Sequence, residues 1–406
     1  MAFVIPAASD AVPTILFGAF DRHNFGDLLF PHIALALLSP AHPVLAGVAA
    51  RDLRTFGGHR VEALADLAAR LRDQPVNILH VGGELLACDI WQAAVMTLPP
   101  EEALDTILRF DERPRDAREW ARQRTGIAAL APYTVNRALF PRAKCVVFNA
   151  VGGVDLDGWD QAFRDEVLEK LRNADAVGVR DTVTQALLHA AGVRTLLMPD
   201  PAVLMEQVFG EGIRRRSGEG ETARMRKAFP QGYVAVQFSA DFGDDATLSE
   251  MADRLDALAD DTGLGIVFFR AGAAPWHDDI ACFERTVARM RRGARIFTSL
   301  DLWDICALIA ASRCYLGGSL HGRIVAMAFG LPRVSLLRMN QRGERSKQGA
   351  YASTWDDGMP GAIGMPGIVD GVQAALAADP LLLEQKAADL ADRYCRAFRA
   401  LTESFA

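Results

Sequence analysis

From Thr14 to Met198 the chain repeats one unit: a short run of apolar and β-branched residues, a break at Gly or Asp, then a stretch with apolar positions at helical spacing. Runs of this length read as strands, and helices placed between them predict a parallel sheet covered on both faces. The expected strands are Thr14–Phe20, Val44–Ala50, Val76–Val81, Cys145–Val151, Ala176–Val179 and Thr195–Met198. Between the fourth and fifth, Phe163, Val167 and Leu171 recur every four residues and mark a helix. Residues 89–142, rich in Pro and charge, carry no strand signal and read as a mostly helical insertion.

Residues 205–230 change in character. Gly210, Gly212, Gly218 and Gly220 surround Arg214-Arg215-Arg216, with Arg224, Arg226 and Lys227 close by, and the segment reads as a solvated linker. Alternation resumes with Tyr233–Ser239, Gly265–Arg270, Arg295–Thr298, Cys314–Gly317 and Arg333–Leu337. Helices lie between them, one carrying Leu248, Met251, Leu255 and Leu258 and closed by Gly263, another carrying Ile305, Leu308 and Ile309. The expected fold class is α/β: two Rossmann-like doubly wound domains, residues 1–204 and 231–380, joined by 205–230. A last helix over 381–406 puts Leu383, Ala387, Leu390, Tyr394, Phe398 and Leu401 on one stripe, which needs an apolar surface and finds one by packing across a domain.

Composition narrows the function. The chain has 406 residues, half of them apolar, and a net charge of −7, enough to bury the cores of two domains and inconsistent with disorder. Without a dense basic stripe there is no footprint for nucleic-acid phosphates. Six cysteines are scattered without a C-x-x-C pair and read as reduced core residues of a cytoplasmic protein. No basic stretch followed by an apolar one opens the sequence, and the longest apolar stretch, Ile33 to Ala50, is broken by Ser39-Pro40 and His42-Pro43. Neither a signal peptide nor a membrane span is expected.

In doubly wound domains ligands bind at the carboxyl ends of the strands, so the loops that follow strands are where chemistry is sought. The signatures of dinucleotide enzymes, P-loop NTPases, zinc peptidases and α/β-hydrolases are all absent. Four loops remain. Gly18 to Asp27 follows the first strand and opens a helix; Asn24, Gly26 and Asp27 there present backbone donors to an anion or sugar, or form a turn that needs Gly and Asn. Gly82-Gly83 lets a ligand, or another chain segment, approach the backbone. Arg180 at a strand mouth offers a fork for carboxylate or phosphate, or an internal salt bridge to Asp181 or Asp200; Asp181 suits a helix cap, and Asp200 can orient Arg180. The fourth loop, Gly318-Ser319-Leu320-His321-Gly322-Arg323, puts a proton-transfer side chain and a cation in the first turn of a helix, where the dipole favours anions.

With these segments the sequence resembles the polysaccharide pyruvyl transferase family. The resemblance rests on Asn24-Phe25-Gly26-Asp27, on Val179-Arg180-Asp181 followed by Gly192-Val193 and Asp200-Pro201, and on Ser319-Leu320-His321-Gly322 with Ala328-Phe329-Gly330-Leu331-Pro332. It implies a GT-B-like pair of Rossmann domains and transfer of the pyruvyl group of phosphoenolpyruvate to a sugar as a ketal. The family often has Arg-Leu-His where this chain has Ser319-Leu320-His321, and Arg323 is the nearest residue able to restore the missing cation. Under the resemblance, His321 is the general acid or the base, and Arg180 and Arg323 meet the donor. Lys347, in the polar Gln341–Gly349 loop, reaches the donor or is a solvated lysine. The acceptor, a sugar or a lipid-linked oligosaccharide needing only peripheral contact with the membrane, docks on the first domain. No cofactor is implied beyond phosphoenolpyruvate as substrate, and no spacing suggests a metal site. Two other readings compete: a GT-B nucleotide-sugar glycosyltransferase, with Glu344 on the ribose, and a non-catalytic sugar-binding scaffold, supported by Ser319 in place of arginine.

Overall fold

A computed structural model describes residues 12–38, 43–110, 112–338, 346–356 and 358–405. Its first sheet contains β1 (Thr14–Phe17), β2 (Pro43–Gly47), β3 (Arg51–Asp52), β4 (Arg60–Ala63), β5 (Val76–His80), β6 (Ala143–Val151), β7 (Ala176–Val179) and β8 (Leu196–Leu197). They lie in the order β3-β4-β2-β1-β5-β6-β7-β8, parallel except for the β3–β4 edge pair. The second sheet holds β9 (Tyr233–Gln237), β10 (Gly265–Phe268), β11 (Ala294–Ile296), β12 (Cys314–Gly317), β13 (Arg333–Leu336) and β14 (Ala362–Ile363). Its order, β11-β10-β9-β12-β13-β14, is that of a Rossmann sheet.

Every residue of β1, β5, β9, β10 and β12 is buried, because crossover helices cover both faces of a parallel sheet. In each sheet the chain starts in the middle, runs outward, then returns to the other side. The strand order therefore reverses between β1 and β5 and between β9 and β12, and a crevice opens beyond their carboxyl ends. The expected strands are present with ends shifted by up to three residues; β6 starts at Ala143, and β1 stops at Phe17 because Gly18–Asp21 turns away. Three short strands, β3, β4 and β14, were not expected. They are edge or near-edge elements too short to show a period, and Val61 is the only buried side chain of β4.

Residues 205–230 are not a solvated linker. They form two helices, Met205–Arg216 and Gly220–Ala228, with Met205, Ile213 and Met225 buried. The first lies against the helix Leu302–Ala310: Phe209 meets Trp303 edge-on at 5.1 Å, and Arg216 pairs with Asp301 at 3.1 Å and with Asp304. Arg214 pairs with Glu206 at 2.7 Å. Gly210 and Gly212 are ordinary helix residues here, since packing of an apolar face outweighs their weak helix propensity.

The insertion is helical, as Ile90–Met96, Pro100–Phe110 and Pro114–Thr125, held by contacts among Trp91, Phe110 and Trp120. The C-terminal helix Pro380–Thr402 buries Leu383, Leu390, Tyr394, Phe398 and Leu401 and returns to the first domain. There Asn149 Nδ2, on β6, donates to the Tyr394 hydroxyl at 3.0 Å. It also packs on the helix Leu320–Ala328 of the second domain, and one continuous apolar core joins the two sheets through Phe25, Leu28, Phe269, Ile305, Ile324 and Tyr394. No helix among the described residues is long and apolar enough to cross a membrane.

Candidate active site

The crevice between the sheets is a cleft of about 600 Å³ whose walls come from both domains. On the first-domain side, the turn after β1 is anchored by Asp21, which is fully buried. Its carboxylate accepts from Val48 N at 2.6 Å, Ala49 N at 3.1 Å and the Tyr133 hydroxyl at 2.9 Å. Tyr133 in turn accepts from Arg22 Nη1 at 2.7 Å. Arg22 is thereby aimed into the cleft, with Nη2 3.7 Å from Asp27 and Nε without a protein partner. Asn24 caps the helix Phe25–Leu38, its Oδ1 accepting from Gly26 N at 3.2 Å. Its Nδ2 donates across the domain boundary to His277 Nε2 at 3.2 Å.

On the second-domain side, β12 ends at Gly317, and the helix Leu320–Ala328 starts with Ser319 as its cap, accepting from Gly322 N at 3.2 Å. The loop is held from below. Gln237, at the end of β9, accepts from Ser319 N at 2.7 Å and donates to Asp278 at 2.6 Å, while Asp278 also accepts from Ala271 N at 2.6 Å. Gln348 donates to the Gly318 carbonyl. Gly322 must be glycine, because a Cβ there would stand 2.5 Å from the Tyr315 ring. Burial pushes the Asp278 carboxyl up to about 7, against the opposing effect of its hydrogen bonds, so it is shared between acid and carboxylate near neutral pH.

Between the walls sits His321. Its Nε2 lies 3.6 Å from Asp200 Oδ2, too long for a hydrogen bond, and the ring meets Phe30 edge-on at 5.2 Å. Asp200 is fully buried. Burial alone would raise its pKa; His321, Arg180 and the Ala202 amide outweigh that and hold it below the ordinary carboxylate value. Arg180, 1% exposed, bonds Asp200 at 3.2 Å and Glu84 at 2.5 Å. The expected internal salt bridge is thus present, and the guanidinium fork is largely occupied by protein carboxylates. Beneath the imidazole runs Gly26: a Cβ on it would fall 1.9 Å from His321 Nδ1.

Asn24, Asp27 and Arg180 line the cleft, as do Gly318, Ser319, Leu320, His321 and Lys347, the last exposed at its rim. The other predicted residues stand behind the wall. Gly82 and Gly83 take φ of +124° and +102°, which L side chains rarely adopt, and pack on Pro201 and Asp27. Asp181 caps the helix Thr182–Ala190, accepting from Thr184 N at 2.7 Å. Arg323 is a correction: it does not present its charge outward. It is fully buried, its Nε bonding Asp356 at 2.8 Å and its Nη1 bonding Ser335 at 3.1 Å, and Asp356 is shared with buried Arg333. At a helix position two residues past His321 the side chain rotates onto the core side of the turn, where Asp356 waits. Glu344 lies outside the described residues.

Arg22, Gln237, Trp276, His277 and Asp278 were missed. The last three sit in the loop after the expected strand Gly265–Arg270, so the strand-end rule applied to Gly272–Pro275 marks the place though not the residues. Among the described residues no three His, Cys, Asp or Glu side chains gather as metal ligands would.

A model of the polysaccharide pyruvyl transferase family matches residues 126–338. No curated protein matches the sequence. Among solved structures, the chain is similar to UDP-GlcNAc 2-epimerase from Neisseria meningitidis bound to UDP-GlcNAc, at 12% identity and TM-score 0.55 over 97% of this chain and 98% of that one. It is similar also to S. aureus MnaA in complex with UDP, at 13% identity and TM-score 0.56 over 97% and 95%. The likeness extends over both domains and makes the fold GT-B-like; at such identities it speaks for the fold alone.

Proposed function

The chain belongs to the polysaccharide pyruvyl transferase family, and on that premise we propose that it transfers the pyruvyl group of phosphoenolpyruvate to a sugar of a polysaccharide or glycan precursor, forming a ketal. The observation that carries the reading is the placement of His321 against buried Asp200 and Arg180, at a helix N-terminus that opens into an interdomain cleft. Phosphoenolpyruvate brings a carboxylate and a phosphate. The cleft offers Arg22 with an unpartnered Nε, Lys347 at the rim and the Leu320 and His321 amides that open the helix Leu320–Ala328 ahead of the capped Gly322 amide.

The reaction balances without an oxidant. A proton added to the methylene carbon makes C2 electrophilic, and a sugar hydroxyl bonds to C2 and gives up its proton. The C2–O bond to phosphate then breaks, phosphate leaves with its electron pair, and a second hydroxyl closes the ketal as its proton passes to solvent or phosphate. His321 is the group suited to deliver or receive these protons; Asp200 faces it as a buried anion, and Arg180 positions Asp200. Precedent for one fold hosting many transfers means the test must be chemical.

Thermal stabilisation by phosphoenolpyruvate, set against UDP, GDP and CMP, tests the donor. A ligand present at about 100 times its Kd adds roughly 2.7 kcal/mol. A shift with phosphoenolpyruvate alone, together with phosphate release that requires a sugar acceptor and is lost in His321→Ala, supports the proposal. A shift with a nucleotide alone would overturn it in favour of a glycosyltransferase.

A further inference from the structure

The loop after β10 carries the cleft's second wall and is tied to the first domain at several points. Asn24 pairs with Gly272 in an isolated antiparallel bridge, Phe25 N donates to Ala271 O at 2.8 Å, and Ala273 N donates to His23 Nδ1 at 3.1 Å. His277 accepts from Asn24 through Nε2, so its Nδ1 is the nitrogen that donates to Pro275 O at 2.9 Å. Between these fixed points Trp276 takes φ of +63°, a conformation in which a β-carbon is crowded. Ala150 is the other non-glycine residue with positive φ among the described residues, and it is buried.

Trp276 spends this strain on exposure. Its side chain lies in the cleft wall and the residue is 49% exposed, whereas Trp355 is nearly buried and Trp91 partly so. A backbone held out of its preferred region between cross-domain bonds, presenting a large flat apolar surface to a cleft lined by polar and apolar groups alike, is the signature of a site that strain has pre-organised for a ligand. The same cleft carries Ser239 and Asp241 from the loop after β9, and Gln92 from the insertion faces it too. A flat apolar face in a cleft that also holds hydroxyl, carboxylate and amide groups matches one ligand chemistry well: a pyranose ring, whose C–H groups rest on indole while its hydroxyls find hydrogen bonds elsewhere on the walls.

We infer that Trp276 is the platform on which the acceptor's pyranose ring stacks. The inference rests on the pyruvyl-transfer reading for its choice of acceptor, although a sugar subsite at Trp276 does not depend on the donor. It assigns the acceptor partly to the second domain, and not to the first-domain loops alone as the sequence suggested.

The test uses the full chain with methyl glycosides of galactose, glucose, mannose and N-acetylglucosamine, followed by saturation-transfer difference NMR in the presence of phosphoenolpyruvate. The expected result is saturation of ring C–H protons of at least one glycoside by the wild type. That signal falls about tenfold in Trp276→Ala and is largely kept in Trp276→Phe, whose ring preserves the surface. Both variants keep the thermal shift with phosphoenolpyruvate, which shows that the fold and donor site survive. Undiminished saturation in Trp276→Ala, or no glycoside contacted by the wild type, overturns the inference. Equal loss in both variants accompanied by loss of the donor shift also overturns it, because the residue then only supports the loop. Should the wild type show no donor shift while glycoside contact still depends on Trp276, the donor reading fails and the sugar subsite stands.

Discussion

Replacing Gly26 with alanine tests whether the two domains meet at His321 as described. A Cβ built on Gly26 stands 1.9 Å from His321 Nδ1, 2.0 Å from Cγ and 2.6 Å from Cβ, so the whole imidazole obstructs it and no small rotation clears the clash. Ordinary contact between such atoms is about 3.5 Å, so the ring must retreat by roughly 1.5 Å or the domains must part by as much. Misplacing a reacting group by about 1 Å costs of the order of 100-fold in rate, or about 2.7 kcal/mol of transition-state stabilisation. Gly26→Ala should therefore lower kcat for phosphoenolpyruvate-dependent phosphate release by about 100-fold or more. The change is one methyl group at a helix N-terminus where alanine is otherwise favourable, so the helix itself should persist. Far-UV circular dichroism gives the control, and Gly158→Ala, elsewhere in the same domain where a Cβ meets no atom within 4 Å, gives the comparison. A Gly26→Ala enzyme within about threefold of the wild type would refute both the placement of His321 and its role.

Other consequences can be measured directly. Asp356→Ala leaves Arg323 and Arg333 buried without their carboxylate and should destabilise the protein by about 3–5 kcal/mol in denaturant titration; assayed well below the lowered midpoint, the variant should keep its stabilisation by phosphoenolpyruvate, and loss of that stabilisation with unchanged stability would return Arg323 to the donor site. Burial lowers the pKa of His80 to about 3 and those of His32 and His277 to about 4, from 6.5, so all three are neutral in the fold where the unfolded chain is protonated. Their contribution is complete above about pH 6.5 and is lost as pH falls toward about 4, or about 3 for His80; the raised Asp278 carboxyl gains stability over the same range but is one group against three, so thermal midpoints should decline across that window, and midpoints flat from about pH 7 to about pH 5 would contradict it.

The helix stripes, the doubly wound alternation and the strand-end loops were legible because each is a local pattern. A period of two or 3.6 residues says which face is buried, and a Gly or Asp at the right place says where the element stops. The same locality explains the errors. Residues 205–230 looked like a linker because glycine and arginine are read one at a time, whereas Phe209 against Trp303 and Arg216 against Asp301 become visible only when the second domain is beside them. Arg323 looks like a cleft cation because the sequence places it two residues from His321, but the Asp356 that holds it comes from a later segment. For Trp276 the strand-end rule marks the loop but not the residue, since Asn24 and His23 hold the loop on either side of it across the domain boundary.

By itself the sequence determined two parallel-sheet domains, the strand-end loops that line the cleft between them and the ordered motifs of the family. Tertiary structure alone decided which side chains of those loops face the cleft. Gly26, Arg180, Asp200 and His321 come from both domains and are brought together across a shared apolar core, and that contact geometry depends on the packing of segments far apart in the chain, about which no local pattern carries information.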